Sequence, residues 1–400
     1  MYIAILGRQP EIAIAELEAV FGNENVDWFG DYAALVDSPD FPLDRLGGTI
    51  KAARVITKES GIKSWREVSF AITKHYSSAW ASHDGKITLG LSAYGFRESS
   101  RDIQQTGIIL KQKLKQSGTS LRLIPNPDSA LSSASSHHNK LGSSANKVEL
   151  IVAKNNDEVV VAESIGTQNI TAYAQRDQGR PKRDAFVGML PPKLAQIIVN
   201  LAIGDISKIQ NPKSKISPSV VLDPFCGTGV ILQEASLMGY DIYGTDVSEK
   251  MIRYTRDNLN WLFSNSQDPT PRIQLETADA TDHIWRQPID FVACEGYLGQ
   301  PIGGQAPSEE KMSQIIASCD QIMRGFLTNI HDQLNESTRL CIAAPAWFVN
   351  NQTHHLPVIG DLSELGYSRV DFKNTDSSQL IYRRPDQTTG RELLVLEVRK

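Results

Sequence analysis

Cysteine is scarce in this chain of 400 residues: there are four, Cys226, Cys294, Cys319 and Cys341, all in the second half and none in a C-x-x-C pair. That spacing argues against a disulfide framework or a thiolate zinc site and fits reduced thiols in a cytosolic protein. No apolar run approaches the roughly 18–20 residues that cross a bilayer. The opening MYIAILGRQPE lacks a basic n-region and a cleavage site. A cytoplasmic chain without membrane attachment is expected, and a mean hydropathy of -0.27 agrees with that. His137-His138 and His354-His355 have no thiol or further ligand at metal spacing, so they read as solvated loop residues and no metal is expected. No repeat of fixed period is present.

The net charge of -5 hides an uneven distribution. Met1 to Ile50 carry 2 basic and 9 acidic residues, a net -7, whereas Lys51 to Leu190 carry 20 basic and 12 acidic residues, a net +8. Pro191 to Lys400 return to acidity, with 19 basic and 25 acidic residues. A basic middle between acidic flanks fits a face for phosphates, and fits a merely solvated face equally well.

Four hundred residues are too many for one ordinary core. The strand-like YIAIL, the helical PEIAIAELEAVFG and the extended VDWFGDYAALVDS suggest a small α+β module over residues 1–55. In residues 56–170, KITLGLSAYGF reads as a strand and DIQQTGIILKQKLKQSG as an amphipathic helix. KVELIVAKNNDEVVVAESIG reads as a hairpin, and the serine-rich SALSSASSHHNKLGSSANK as a loop. Residues 171–190 form a linker with Arg176, Arg180, Lys182 and Arg183 close to Tyr173 and Phe186. Basic side chains neutralise phosphates and aromatic rings stack on bases, although an exposed hinge has the same composition. Residues 191–400 alternate strands and helices, the pattern of a doubly wound sheet whose ligands bind at strand carboxyl ends.

Chemistry-bearing residues gather at those strand ends. VLDPFCGTG puts Asp223 at the end of one strand and Gly227 and Gly229 in the turn into a helix. The loop has no third glycine and no Gly-Lys-Ser/Thr, so it is neither a dinucleotide fingerprint nor a P-loop. Asp246 ends YDIYGTD, 23 residues later, where an acid can accept two ribose hydroxyls, and Asp279 ends RIQLETADA. The fourth strand, IDFVACE, runs into Glu295, Gly296 and Tyr297.

The glycine loop resembles motif I of class I S-adenosylmethionine-dependent methyltransferases. The segments LGRQPEIAIAELEAVFG, YAQRDQGRPKRD, GMLPPKLAQIIVNLA, LDPFCGTG and IYRRPDQTTGRELLVLEV together resemble the THUMP-containing tRNA guanine-N2 methyltransferases that modify position ten. The resemblance covers essentially the whole chain and is weakest between Lys51 and Leu150. It implies a Rossmann-like domain with a mostly parallel seven-stranded sheet, preceded by an α+β module and a THUMP domain that grips tRNA. It also implies that Asp223, Phe225, Cys226, Gly227 and Gly229 hold the methionine part of the cofactor, Asp246 and Val247 the ribose side, and Asp279 and Ala280 the adenine.

Similar amino-methylating enzymes carry (Asp/Asn)-Pro-Pro-(Tyr/Phe) at the fourth strand end. Here, aligning Tyr297 with the aromatic puts Cys294 at the acid position, while taking Glu295 as the acid brings the aromatic one residue early. With Glu295 as the acceptor and Tyr297 as the stacking ring, guanine N2 of tRNA is the expected target. Adenine-N6 methylation of a nucleic acid and a non-catalytic tRNA-binding protein stay open as alternatives.

Overall fold

The computed structural model describes residues 1–62, 64–184, 190–206, 218–264, 270–300, 307–349, 352–385 and 387–400. Its contacts divide the chain into two units: Met1–Ile14, Glu24–Asp44 and Gly48–Ala172 form the first, and Ala15–Asn23, Arg45–Gly47 and Tyr173–Lys400 the second. Among the described residues no helix is long and apolar enough to cross a membrane.

The first unit is built on one eight-stranded sheet. Its strands are β1 (Tyr2–Leu6), β2 (Val26–Trp28), β3 (Ala33–Val36), β4 (Thr49–Ser60), β5 (Lys86–Tyr94), β6 (Ser120–Leu123), β7 (Lys147–Asn155) and β8 (Glu158–Thr167), in the order β2-β3-β1-β4-β8-β7-β5-β6. The helices of this part of the chain are α1 (Pro10–Phe21), α2 (Trp65–Ala79), α3 (Ser100–Gln116), α4 (Ser133–His138) and α5 (Ile170–Gln178). α3 starts at a capping box in which Ser99 and Asp102 exchange side-chain and backbone hydrogen bonds. It buries Ile103, Thr106, Leu110 and Leu114 at helical spacing, with Lys111, Lys113 and Lys115 on the exposed face. The expected hairpin is β7 and β8, turning at Asn156, whose φ of 53° lies in the left-handed region. β4, which runs through residue 55, pairs with β1 on one side and β8 on the other.

The serine-rich stretch differs from the expected loop. It contains α4, and Leu131 and Leu141 pack with Ile124 in a small apolar cluster. The cause is a buried ion pair further off in sequence. Lys51 on β4 meets Glu149 on β7, and Lys51 also donates to the carbonyl of Leu131 at 2.7 Å. Glu149 accepts in addition from Ser92 and from Ser136, each at 2.6 Å. Burial pushes the Lys51 ammonium below its usual range, an effect that Glu149 opposes. Serines here serve as donors to a buried charge, which composition alone does not reveal.

The second unit holds α6 (Pro192–Ile203), β9 (Val220–Asp223), α7 (Val230–Leu237), β10 (Asp241–Asp246), α8 (Glu249–Phe263), β11 (Ile273–Thr277), β12 (Phe291–Glu295) and α9 (Glu309–His331). It ends with β13 (Arg339–Val349), β14 (Gln352–His354), β15 (Tyr367–Arg369), β16 (Ile381–Tyr382) and β17 (Thr389–Val398). The sheet follows β11-β10-β9-β12-β13-β17-β15, with β14 paired to β13 and β16 to β17. The first five strands of that path are parallel, and β17 inserts antiparallel to β13. The expected mostly parallel seven-stranded sheet is therefore present, with two short strands added. Chain order reverses between β9 and β12, and the carboxyl ends there are where an open α/β sheet receives ligands.

Helix α9 covers one face because Met312, Ile315, Cys319, Met323, Phe326, Leu327 and Ile330 recur at helical spacing. α6 is buried from Leu194 to Ile203, which its nearly continuous apolar sequence allows. Its Asn200 is fully buried and satisfied by the early segments of this unit. The amide donates to Glu16 at 2.7 Å and to the Arg45 carbonyl at 2.8 Å, and its oxygen accepts from Arg45 at 2.9 Å. His355, an exposed loop residue as expected, also pairs at 2.6 Å with Glu392, which meets Arg369.

Candidate active site

Four acidic residues stand at or just beyond the carboxyl ends of β9, β10, β11 and β12. Asp223 closes β9, is 2% exposed, and accepts from the Phe225 N–H at 3.1 Å. Burial, with Asp246 and Glu295 adding negative charge nearby, pushes its carboxyl well above the usual carboxylate range. The following turn is tied down from both sides. The Cys226 N–H donates to the Thr245 carbonyl at 2.9 Å, Gly229 donates to Cys226, and the Gly227 carbonyl accepts from Thr255 on α8 at 2.8 Å. Gly229 enters α7 at φ 83°, and a Cβ there would lie 2.8 Å from a Thr255 methyl, so glycine is required on both counts.

Asp246 at the end of β10 bridges the two loops. One oxygen accepts from Gly227 at 2.9 Å and the other from Ser248 at 2.8 Å. Each carboxylate oxygen keeps acceptor capacity beyond these bonds. Burial raises the Asp246 carboxyl above its ordinary range, and the two N–H bonds oppose that. Val247 beside it is 72% exposed. Asp279, two residues past β11, is exposed; Oδ1 takes both the N–H and the hydroxyl of Thr281, which lower its pKa. Ala280 is buried, its carbonyl bonded by Asn329 of α9.

Glu295 ends β12, in register with Ala343 of β13. Its side chain is 15% exposed and paired with Arg391 of β17. Burial raises its carboxyl, and Arg391 pulls it back. Cys294, the other residue aligned with the acid position, is fully buried, and burial pushes its thiol well up, so it offers no thiolate. Gly296 donates to the Ala343 carbonyl at 3.0 Å and lies under Met323, whose terminal methyl would be 2.6 Å from a Cβ. Tyr297 is 41% exposed beyond it. Residues 301–306, which include Pro301, lie outside the described residues.

Comparison with known proteins bears on this geometry. Residues 217–376 match a family described as a methyltransferase domain. The tRNA (guanine(10)-N2)-dimethyltransferase of Methanothermobacter thermautotrophicus is 31% identical over 174 residues, 42% of this chain and 43% of that protein. Its namesake in Pyrococcus abyssi is 38% identical over 72 residues, 18% of each chain. The second unit has the class I methyltransferase fold. Crystalline TrmN from Thermus thermophilus matches with a TM-score of 0.50 at 16% identity, covering 99% of both chains, a likeness of fold. The chain spans less than half the length of the two curated relatives.

The basic linker residues fall into two pairs within the second unit. Arg176 forks onto Glu234 of α7 at 2.7 and 3.2 Å and stacks on Tyr173, while Glu234 is 1% exposed. Arg180 is 4% exposed, its Nε and Nη1 have no partner among the described residues, and burial lowers its pKa. Lys182 and Arg183 are more open. Lys182 exchanges both backbone bonds with Asn258 of α8, which also bonds the Thr228 carbonyl of the glycine turn. Phe186 lies outside the described residues. Sequence reasoning missed Thr255, Asn258 and Arg391. The first two follow from helical spacing on a strongly amphipathic α8, but Arg391 has no local signal.

Proposed function

We propose that this protein transfers a methyl group from S-adenosylmethionine to an exocyclic amine of tRNA, the guanine N2 amine of position ten. The observation that carries this reading is the Asp246 carboxylate, fixed by Gly227 and Ser248 between the glycine turn and an exposed apolar Val247. That arrangement fits a ribose with a flat ring beside it: acceptors for two hydroxyls, a backbone held open by glycine, and an Asp279 oxygen, unpartnered among the described residues, for an adenine amine. When bound, S-adenosylmethionine supplies a methyl group on positively charged sulfur, and the Asp223 end of the turn holds the methionine part.

The residues of this chain then bind and orient. A guanine amine is delocalised into its ring and is a poor nucleophile, so a hydrogen-bond acceptor on its N–H directs the lone pair. Glu295 has that capacity, and the exposed Tyr297 ring suits stacking on an extruded base. Lys182 and Arg183 contact phosphate, while Arg176 and Arg180 act from within, setting the linker against α7 and α8. The basic stretch from Lys51 onward, in a THUMP-like module, grips tRNA. The names of the two dimethyltransferases support the guanine target.

Incubation with methyl-labelled cofactor and bulk tRNA, followed by nucleoside analysis, tests the proposal. Label in N2-methylguanosine is expected. Label in N6-methyladenosine overturns the guanine assignment, and tight tRNA binding without any label overturns the catalytic one. Asp246→Ala abolishes cofactor binding and leaves tRNA affinity within about twofold if the electrostatic contact lies elsewhere.

A further inference from the structure

The Glu295–Arg391 pair reaches across a strand. Glu295 ends β12 and Arg391 lies on β17, with β13 between them. Neighbouring strands are about 4.8 Å apart, so the guanidinium crosses roughly 10 Å of sheet surface. The register of β13 permits this. Glu295 stands opposite Ala343 and Arg391 opposite Pro345, and the two-residue period puts Ala343 and Pro345 on one face. A methyl group and a compact ring leave a shallow path where a large side chain would block it. The contact is also one-sided: Nε of Arg391 meets Oε1 of Glu295, and Oε2 has no partner among the described residues.

Resting on the reading of Glu295 as the amine acceptor, we infer that Arg391 is its positioning residue, holding Glu295 through Oε1 so that Oε2 faces the acceptor site. A glutamate is longer and less constrained than the acid of similar enzymes, and the next residue here is glycine. The tether supplies the constraint that the proline of those enzymes provides through the backbone. It also supplies charge. The titratable groups about Glu295 are Asp223 on β9, with Asp246 beyond it, the Cys294 thiol beside it and Arg391 on β17. Arg391 is the cation among these, and it opposes the burial that favours the neutral carboxyl.

Arg391→Gln and Arg391→Lys separate this role from a merely structural one. In Arg391→Gln, kcat falls by about 10²-fold, the scale of a misplaced catalytic group, with KM for tRNA little changed. The acid limb of its pH–rate profile moves to higher pH, because the carboxyl has lost its cation. Arg391→Lys restores the limb and most of the rate. Independently of activity, Glu295→Gln and Arg391→Gln are non-additive in unfolding, with a coupling of about tenfold or more in the folding constant. A wild-type protein that methylates no amine overturns the acceptor role and this inference together, even where the unfolding cycle still reports the pair. An active wild type with an unmoved acid limb in folded Arg391→Gln, or additive unfolding effects, overturns the inference alone.

Discussion

Replacing Gly296 by proline would bring a residue of the related motif to the position after Glu295, and the structure argues that this chain does not accept it. Two costs are separable. Proline has no N–H, so the 3.0 Å bond to the Ala343 carbonyl is lost, at about 1 kcal/mol for an ordinary hydrogen bond. Any Cβ also meets the Met323 methyl at 2.6 Å, and overpacking costs about 1–3 kcal/mol. The extended backbone of Glu295 suits a following proline, so no further penalty arises there. Gly296→Pro should therefore destabilise the strand end by about 2–4 kcal/mol. Gly296→Ala, which keeps the N–H, should cost about 1 kcal/mol, since Met323 is flexible enough to yield. The measurement is hydrogen exchange of the peptide covering Arg339–Val349, where opening free energies report this end of the sheet rather than the whole chain. A Gly296→Pro protein as protected as the wild type would refute the reasoning, and equal losses in the two variants would show that the backbone bond contributes nothing.

Two further outcomes follow from buried charge. The Asp223 carboxyl is raised in the folded state, so the stability it contributes is complete below its unfolded value of about 4 and is lost as pH rises through the folded one. Asp223→Asn keeps an acceptor for Phe225 but never ionises, so its melting temperature should gain on the wild type as pH rises above the unfolded value of about 4; a difference that is flat or shrinks with pH would sink this. In the first unit, Lys51→Met leaves Glu149 buried without its cation and should cost about 3–5 kcal/mol in denaturant unfolding. Adding Glu149→Gln, which still accepts from Ser92 and Ser136, should recover a measurable part, and a single-variant cost under about 1 kcal/mol would contradict the burial argument.

The alternation of the second half was legible because each element there is locally consistent. α9 repeats its apolar residues at helical spacing, and β9, β10 and β12 are short apolar runs ending in acids. Asp223 and Asp246 could be paired from sequence since parallel strands bring successive carboxyl ends together, and the reach of Asp246 to Gly227 in the turn after Asp223 follows from that topology. What stayed hidden was non-local. Glu149 takes the hydroxyl of Ser136, in a stretch that composition assigns to a loop. Arg176 and Arg180 look like surface cations until the partner, buried Glu234, or the burial itself is seen. Arg391 stands 96 residues from Glu295, and only the insertion of β17 beside β13 brings it within reach. The loop from Cys294 to Tyr297 departs from the related motif in its own residues, and the ion-pair partner of Glu295 lies on a different strand.

Asn200 carries one more consequence. Its three partners are Glu16 and two groups of Arg45, so the second unit is discontinuous in the chain, with its outermost supports encoded far upstream of its glycine turn. A fragment that begins at Tyr173 strips a buried carboxamide of all three bonds and does not reproduce the unit as it stands in the full chain. The boundary useful for cutting or grafting the second unit is therefore not a point on the sequence. An exchange between homologous proteins would have to carry Ala15–Asn23 and Arg45–Gly47 along with the C-terminal segment, which makes those upstream residues and the rest of the second unit a single unit of inheritance.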